Sequence, residues 1–205
     1  MSELTNTEIV RWWRRIGVVT PGLAVCGDLP TDFEDAVDVL VAWIDAGVTD
    51  IVDVREEWSD EDLVADLAPP LAYHHVGTHD HGGTQADAWF DAGVAPVLEA
   101  MADDERLAVV HCHMGINRGP SLAFAALLAA GWDTVEALDA IRAARPIAAI
   151  AYAEDAVRWH GQTTGRSPQA TAAQVRRVRR WHDQHDIDVR RVIRLIRHAE
   201  DHEAA

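Results

Sequence analysis

Residues 108–132 read AVVHCHMGINRGPSLAFAALLAAGW: an apolar run ends at His111-Cys112, five residues lead to Arg118, and an apolar stretch reopens behind Gly119-Pro120. A strand, a short loop and a helix in that order form an anion site. Loop N–H groups curl inward, and the first helical turn adds orphan donors and the positive end of its dipole. Arg118 offers a planar fork that holds two oxygens of a phosphoryl group at once. Cys112, at the mouth of the loop, shares that positive field, which favours the thiolate, the nucleophilic form of cysteine. Gly119 suits the N-cap and Pro120 the first helical position, setting the helix start directly after Arg118. The backbone of His113, Met114, Gly115, Ile116 and Asn117, together with Arg118, is the candidate phosphate-binding loop.

Such chemistry needs a second group, because an ester oxygen leaves poorly unless a proton arrives as the P–O bond breaks. The stretch resembles the His-Cys-x5-Arg signature of the cysteine-based protein tyrosine phosphatases, with His111, Cys112, Gly115 and Arg118 in the signature's places. "VCGDLPTDFED", "WIDAGVTDIVDVREEW" and "IRAARPIAAIAYAEDAVRW" are similar to the corresponding segments of the dual-specificity branch. The resemblance implies a central sheet flanked by helices, a phosphocysteine intermediate, and neither metal nor cofactor. It also implies a loop Asp upstream of the cysteine as general acid and later as base. Asp80 in "VGTHDHGGTQ", 32 residues before Cys112, fits that place. Asp87 and Asp91 fall in a helix opened by Thr84, and Asp66 precedes the strand. His111 is expected to order the loop by hydrogen bonding. One departure stands out: the family carries Ser or Thr directly after the Arg, where this chain has Gly119. Ser121, the nearest hydroxyl, lies a turn into the helix, so slow hydrolysis of the intermediate is expected.

Three rival readings use the same residues. His74, His75, His79 and His81 beside Asp80 are metal-ligand types for a metal-assisted hydrolase, but adjacent His74 and His75 point to opposite faces of a strand and match no zinc spacing. "IVDVREEW" resembles the Asp-x-Arg-Glu element of rhodanese-like sulfurtransferases, against which stand the five-residue gap to Arg118 and an acid that persulfide transfer does not use. A phospho-binding module with slow turnover would exploit Gly119.

The elements that must position these groups alternate between strand and helix. Strands are predicted at 23–27, 48–54, 71–76 and 107–112, and helices at 6–15, 31–47, 60–67, 84–101, 119–130, 133–144 and 152–160. Thr31 with Glu34 and Asp133 with Glu136 form capping boxes, and Pro96 is expected to kink or break its helix. The pattern argues an α/β fold with a central, mostly parallel sheet flanked by helices. Residues 1–160 form the catalytic domain, 161–169 a polar linker, and 170–205 an Arg-rich helical extension. In that extension Thr171 and Gln174 cap one helix, and Val189, Val192, Ile193 and Ile196 line the other. The extension is expected to pack on the domain or on another subunit.

Composition bounds the rest. Net charge is −16; residues 1–160 hold 28 acids against 9 Arg, and residues 161–205 hold 6 against 9. An acidic body does not attract nucleic acid or anionic membrane through its overall field. All 18 basic residues are Arg, which with the abundant Ala points to a GC-rich bacterial genome. Two cysteines, Cys26 and Cys112, make no disulfide framework. No stretch reaches membrane-span length and the N-terminus shows no signal peptide, so a cytoplasmic protein is expected. The loop between Cys112 and Arg118 lacks Lys and Arg, which favours phosphoprotein or small phosphoester substrates over inositol lipids or RNA ends.

Overall fold

The computed structural model describes residues 4–203. Five strands form one sheet: β1 (Gly17–Thr20), β2 (Leu23–Cys26), β3 (Asp50–Arg55), β4 (Ala72–Thr78) and β5 (Ala108–His111), in the order β1-β2-β5-β3-β4. All neighbours are parallel except the antiparallel β1–β2 pair. Strands β2, β3 and β5 are buried along their whole length, as the Val- and Ile-rich runs of a parallel sheet covered on both faces require. β5 lies between β2 and β3, so its carboxyl end, carrying Cys112, opens where the strand order reverses. Ligands of open α/β sheets bind at such a point.

Nine helices accompany the sheet among the described residues. One face is covered by α4 (Asp87–Met101), α5 (Arg118–Ala129), α6 (Thr134–Ala144), α7 (Ala153–Thr163) and α8 (Pro168–Gln184), whose Phe90, Val97, Phe124, Leu127, Leu138 and Trp181 join one core. The other face carries α2 (Phe33–Asp45) and α3 (Glu61–Leu67) through Leu40, Trp43 and Val64. A third cluster joins α1 (Asn6–Trp12) and α9 (Val189–Glu203) to Met114, Ile116 and Ile147.

Several boundaries differ from the sequence reading for identifiable reasons. β1 was missed, being a four-residue edge strand. Asp32, not Thr31, caps α2; its carboxylate accepts from the N–H groups of both Glu34 and Asp35, a stronger acceptor than a hydroxyl. α4 starts at Asp87 instead of Thr84, because Gln85 is held in a loop by Thr78 and Asp155. The helix continues across Pro96. α5 begins at Arg118 with Asn117 as N-cap, ahead of the predicted Gly119 cap, since Ser121 N–H already donates to the Asn117 carbonyl at 2.8 Å. Asp133 caps α6 as expected, through Val135 and Glu136. Ser167, not Thr171, caps α8, and α7 runs to Thr163, which shortens the non-helical part of the linker. On α9, Val192 and Ile196 are buried and Val189 and Ile193 half-buried. None of the helices among the described residues is long and apolar enough to cross a membrane.

Candidate active site

The loop from Cys112 to Arg118 is fixed from outside by its carbonyls. His113 C=O accepts from Asp28 N–H at 3.0 Å and Trp13 Nε1 at 3.3 Å, and Met114 C=O accepts from Arg145 Nη2 at 2.9 Å. Gly115 C=O accepts from Arg145 Nε, Ile116 C=O from Ala149 N–H at 2.7 Å, and Asn117 C=O from Ser121 N–H. A peptide whose carbonyl is held outward presents its N–H on the opposite side. The N–H groups of these peptides belong to residues 114 to 118, and among the described residues those of 114 to 117 meet no protein acceptor. Gly115 sits at φ +59°, and a Cβ there would collide with Arg145 Nη2 and the Cys26 carbonyl. These are the features of an anion nest.

Cys112, Arg118 and Asp80 line one cavity of about 450 Å³, together with His113, Met114, Ile116 and Asn117. Arg118, 3% exposed, donates from Nη1 to Glu57 at 2.7 Å and to the Thr78 carbonyl at 2.9 Å. Its buried Nε makes no hydrogen bond and lies 3.7 Å from Asp80 Oδ2. Burial opposes the charge on Arg118, but Glu57, Cys112 and Asp80 raise its pKa. Asp80 Oδ1 accepts from Tyr152 Oη at 2.6 Å and Asn117 Nδ2 at 2.8 Å, which leaves Oδ2 facing the guanidinium.

Comparison with known proteins gives the same architecture. No protein-family model matches the chain, and no curated protein matches it. Among solved structures, PTPMT1 superposes with a TM-score of 0.57 at 21% identity over 74% of this chain and 98% of its own. Human DUSP28 superposes at 0.57 and 20% identity over 73% and 95%. The human tyrosine phosphatase-like serine/threonine/tyrosine-interacting protein superposes at 0.57 and 14% over 74% and 99%. The chain has a dual-specificity phosphatase fold.

Within this phosphatase fold several residues depart from the sequence reading. His111 does not order the loop by hydrogen bonds: both ring nitrogens are buried without a partner, with Asp53 at 3.8 Å and the Trp43 ring alongside. Burial pushes its pKa down to about 4, so the ring is neutral at pH 7. Arg145 does the ordering instead, reaching Trp13, Met114, Gly115 and Arg15 carbonyls while fully buried. It sits at the end of α6 in "AARPIA", and nothing in its spacing announces that role. Tyr152 and Glu57 were likewise missed as partners of Asp80 and Arg118. Ser121 is occupied, donating to Asn117 Oδ1 and accepting from Tyr152 N–H. Gly119 has its Cα against the end of β5, where an added Cβ would lie 3.2 Å from the Val110 carbonyl.

The histidines of "YHHVGTHDH" do not converge. His75 Nε2 meets the Arg55 carbonyl at 2.6 Å, His74 faces Asp50 at 3.6 Å, and His79 faces Glu56 at 3.6 Å. Asp53, Asp60 and His111 approach one another closely enough for a cation, but that place is already taken. Arg55 forks onto Asp53 at 2.9 and 2.7 Å and also reaches Asp60, while Tyr73 Oη donates to Asp53 at 2.6 Å. Burial disfavours the Asp53 carboxylate, yet the charges of His111 and Arg55 hold its pKa at about 2; with His111 neutral at pH 7, Arg55 is the cation that counts. The Asp-x-Arg element of "IVDVREEW" is thus a buried ion pair beneath the loop.

Proposed function

We propose that the protein is a metal-independent phosphomonoester hydrolase of the dual-specificity type, acting on phosphoproteins or small phosphoesters. The observation that carries this reading is the loop itself. Five carbonyls are tied to partners outside the loop, which turns the N–H side of those peptides the other way, and Arg118 gives hydrogen bonds from Nη1 alone, its Nε being unbonded 3.7 Å from Asp80. In the first step the Cys112 thiolate attacks phosphorus, the ester P–O bond breaks, and Asp80 gives its proton to the departing oxygen. Arg118 and the loop amides hold the equatorial oxygens. In the second step Asp80, now a carboxylate, takes a proton from water as water attacks the phosphocysteine; the S–P bond breaks, phosphate leaves and the thiolate returns. Asp80 Oδ2 is the oxygen suited to both transfers, because two donors occupy Oδ1.

The test compares wild type with Cys112→Ser, Asp80→Ala and Arg118→Lys on an aryl phosphate in excess chelator. Cys112→Ser is expected to abolish turnover, Arg118→Lys to cut it by orders of magnitude, and Asp80→Ala to slow poor leaving groups most. Substantial hydrolysis by Cys112→Ser would overturn the mechanism. Loss of wild-type activity in chelator would favour the metal reading.

A further inference from the structure

The catalytic cavity has two walls of opposite sign. Glu57 and Asp80 stand on one side; the other is α9, which contributes Val189, Ile193 and Arg197. Ile193 and Arg197 are shared with a shallow groove that runs along α9 past Arg190, Arg194 and His198 to Asp201. Arg190, Arg194 and Arg197 recur at i, i+4 and i+7, so their side chains lie on one face. All three are exposed, and among the described residues none has an ion-pair or hydrogen-bond partner. Neighbouring arginines are used differently: Arg177 is bound to Asp133, and Arg179 to Glu154. The row is also fixed relative to the catalytic loop. Val192 and Ile196 are buried against Met114 and Ile116, and His113 Nε2 meets Glu200 at 2.9 Å.

We infer that this face of α9 binds an acidic segment of a phosphopeptide whose phosphorylated residue occupies the cavity. The inference rests on the phosphatase reading and narrows its substrate class. Seven residues of helix span about 10 Å, and alternate side chains of an extended peptide stand about 7 Å apart. Three guanidinium groups over that length therefore meet two or three acidic side chains. A small bisphosphorylated molecule could reach Arg197 but would leave Arg190 and Arg194 unused. The polarity of the cavity sets direction: acidic residues are accepted on the α9 side and repelled on the Glu57–Asp80 side, and Asp201 ends the run.

The experiment measures kcat/KM for three substrates: a phosphopeptide with three Asp or Glu on one side of the phosphorylated residue, its neutral-flanked counterpart, and a small bisphosphate. Wild type is expected to prefer the acidic peptide, and the preference to shrink as salt rises from 20 to 300 mM. Arg190→Gln/Arg194→Gln is expected to cut that preference about three- to tenfold, the scale of two or three exposed ion pairs. No preference in wild type, a preference indifferent to salt, or equal losses on acidic and neutral peptides would overturn the inference. So would a preference for the small bisphosphate over the acidic peptide. If Cys112→Ser retains activity, the phosphatase reading itself fails, an outcome distinct from loss of selectivity among active variants.

Discussion

Arg145 offers the sharpest test of how the loop is held. Its guanidinium is fully buried and meets no carboxylate; its donors go to four carbonyls, those of Trp13, Arg15, Met114 and Gly115. Burial lowers its pKa, and the nearby Cys26 and Cys112 thiols act in the other direction. Lysine keeps the charge but has three donors radiating from a point in place of a planar fork. The Trp13 carbonyl keeps the Gly27 N–H at 3.0 Å, but a tetrahedral ammonium does not reproduce the fork that serves Arg15, Met114 and Gly115, and one buried carbonyl orphaned in Arg145→Lys costs about 1–3 kcal/mol. In a domain of this size that lowers Tm by roughly 2–12 °C. The functional loss should exceed the loss of stability. The peptides released are those of the Met114 and Gly115 carbonyls, so the Gly115 and Ile116 N–H groups lose their fixed direction. Tungstate or vanadate binding, followed by calorimetry at a temperature where the variant is folded, should weaken at least tenfold. Intact oxyanion affinity in a folded Arg145→Lys protein would refute the idea that outward-tied carbonyls create the nest. Equal affinity in Arg145→Met would refute it more strongly, since the Arg15, Met114 and Gly115 carbonyls then all lose the guanidinium.

Three further outcomes follow from single residues. Gly115→Ala should abolish oxyanion binding and destabilise the fold, because φ is +59° and the methyl would meet Arg145 and the Cys26 carbonyl; an active Ala variant would place the loop elsewhere. Gly119→Ser should raise the steady-state rate and shrink the burst, with a small loss of Tm because the new Cβ lies 3.2 Å from the Val110 carbonyl; an unchanged burst would remove Gly119 as the cause of slow hydrolysis. Burial pushes the Asp28 pKa up to about 8, above the unfolded value of 3.8, so the native state retains a proton that the unfolded chain releases. Stability from this group is present in full below pH 4 and is lost as pH rises to 8, in total several kcal/mol at most. Asp28→Asn should flatten that slope in urea melts between pH 5 and 9, and an unaltered slope would show Asp28 to be ionised in the native protein.

Much of the candidate site's arrangement was legible because it is local. Cys112, the five loop residues and Arg118 lie in one strand-loop-helix unit, and the unit's dipoles and donors follow from the order of its elements. The sheet was legible for the same reason: β2, β3, β4 and β5 are apolar runs separated by helical periodicity. Long-range partners were not. Arg145 reaches the loop from 30 residues away, Tyr152 reaches Asp80 from 72, and Glu57 reaches Arg118 from 61. Each looks like an ordinary polar residue until the fold brings it round. Capping errors share one origin. At Thr31, Gly119 and Thr171 the residue type suited a cap, but a near neighbour took the place: Asp32, one position later, is the stronger acceptor, and Asn117 and Ser167, two and four positions earlier, open an earlier first turn.

The tail shows how net charge misleads when it is read globally. A chain of net charge −16 is a poor prospect for binding a dianion, yet salt screens charges beyond about 10 Å, and most of the carboxylates are exposed at the surface. On the proposed function, a phosphoryl group meets only the first few ångströms: the loop N–H groups, the start of α5, and Arg118, all screened little because they are buried. The surface charge acts on the remainder of the substrate instead. There, on the inference above, the acidic wall of Glu57 and Asp80 and the row Arg190, Arg194 and Arg197 divide the approach into a repelling and an attracting side. The C-terminal segment, which by sequence alone is an appendage, thereby becomes one wall of the cavity that Cys112 and Arg118 line. Removing α9 should accordingly cost more than selectivity, since Met114 and Ile116 lose the side chains that cover them and the loop loses part of its support.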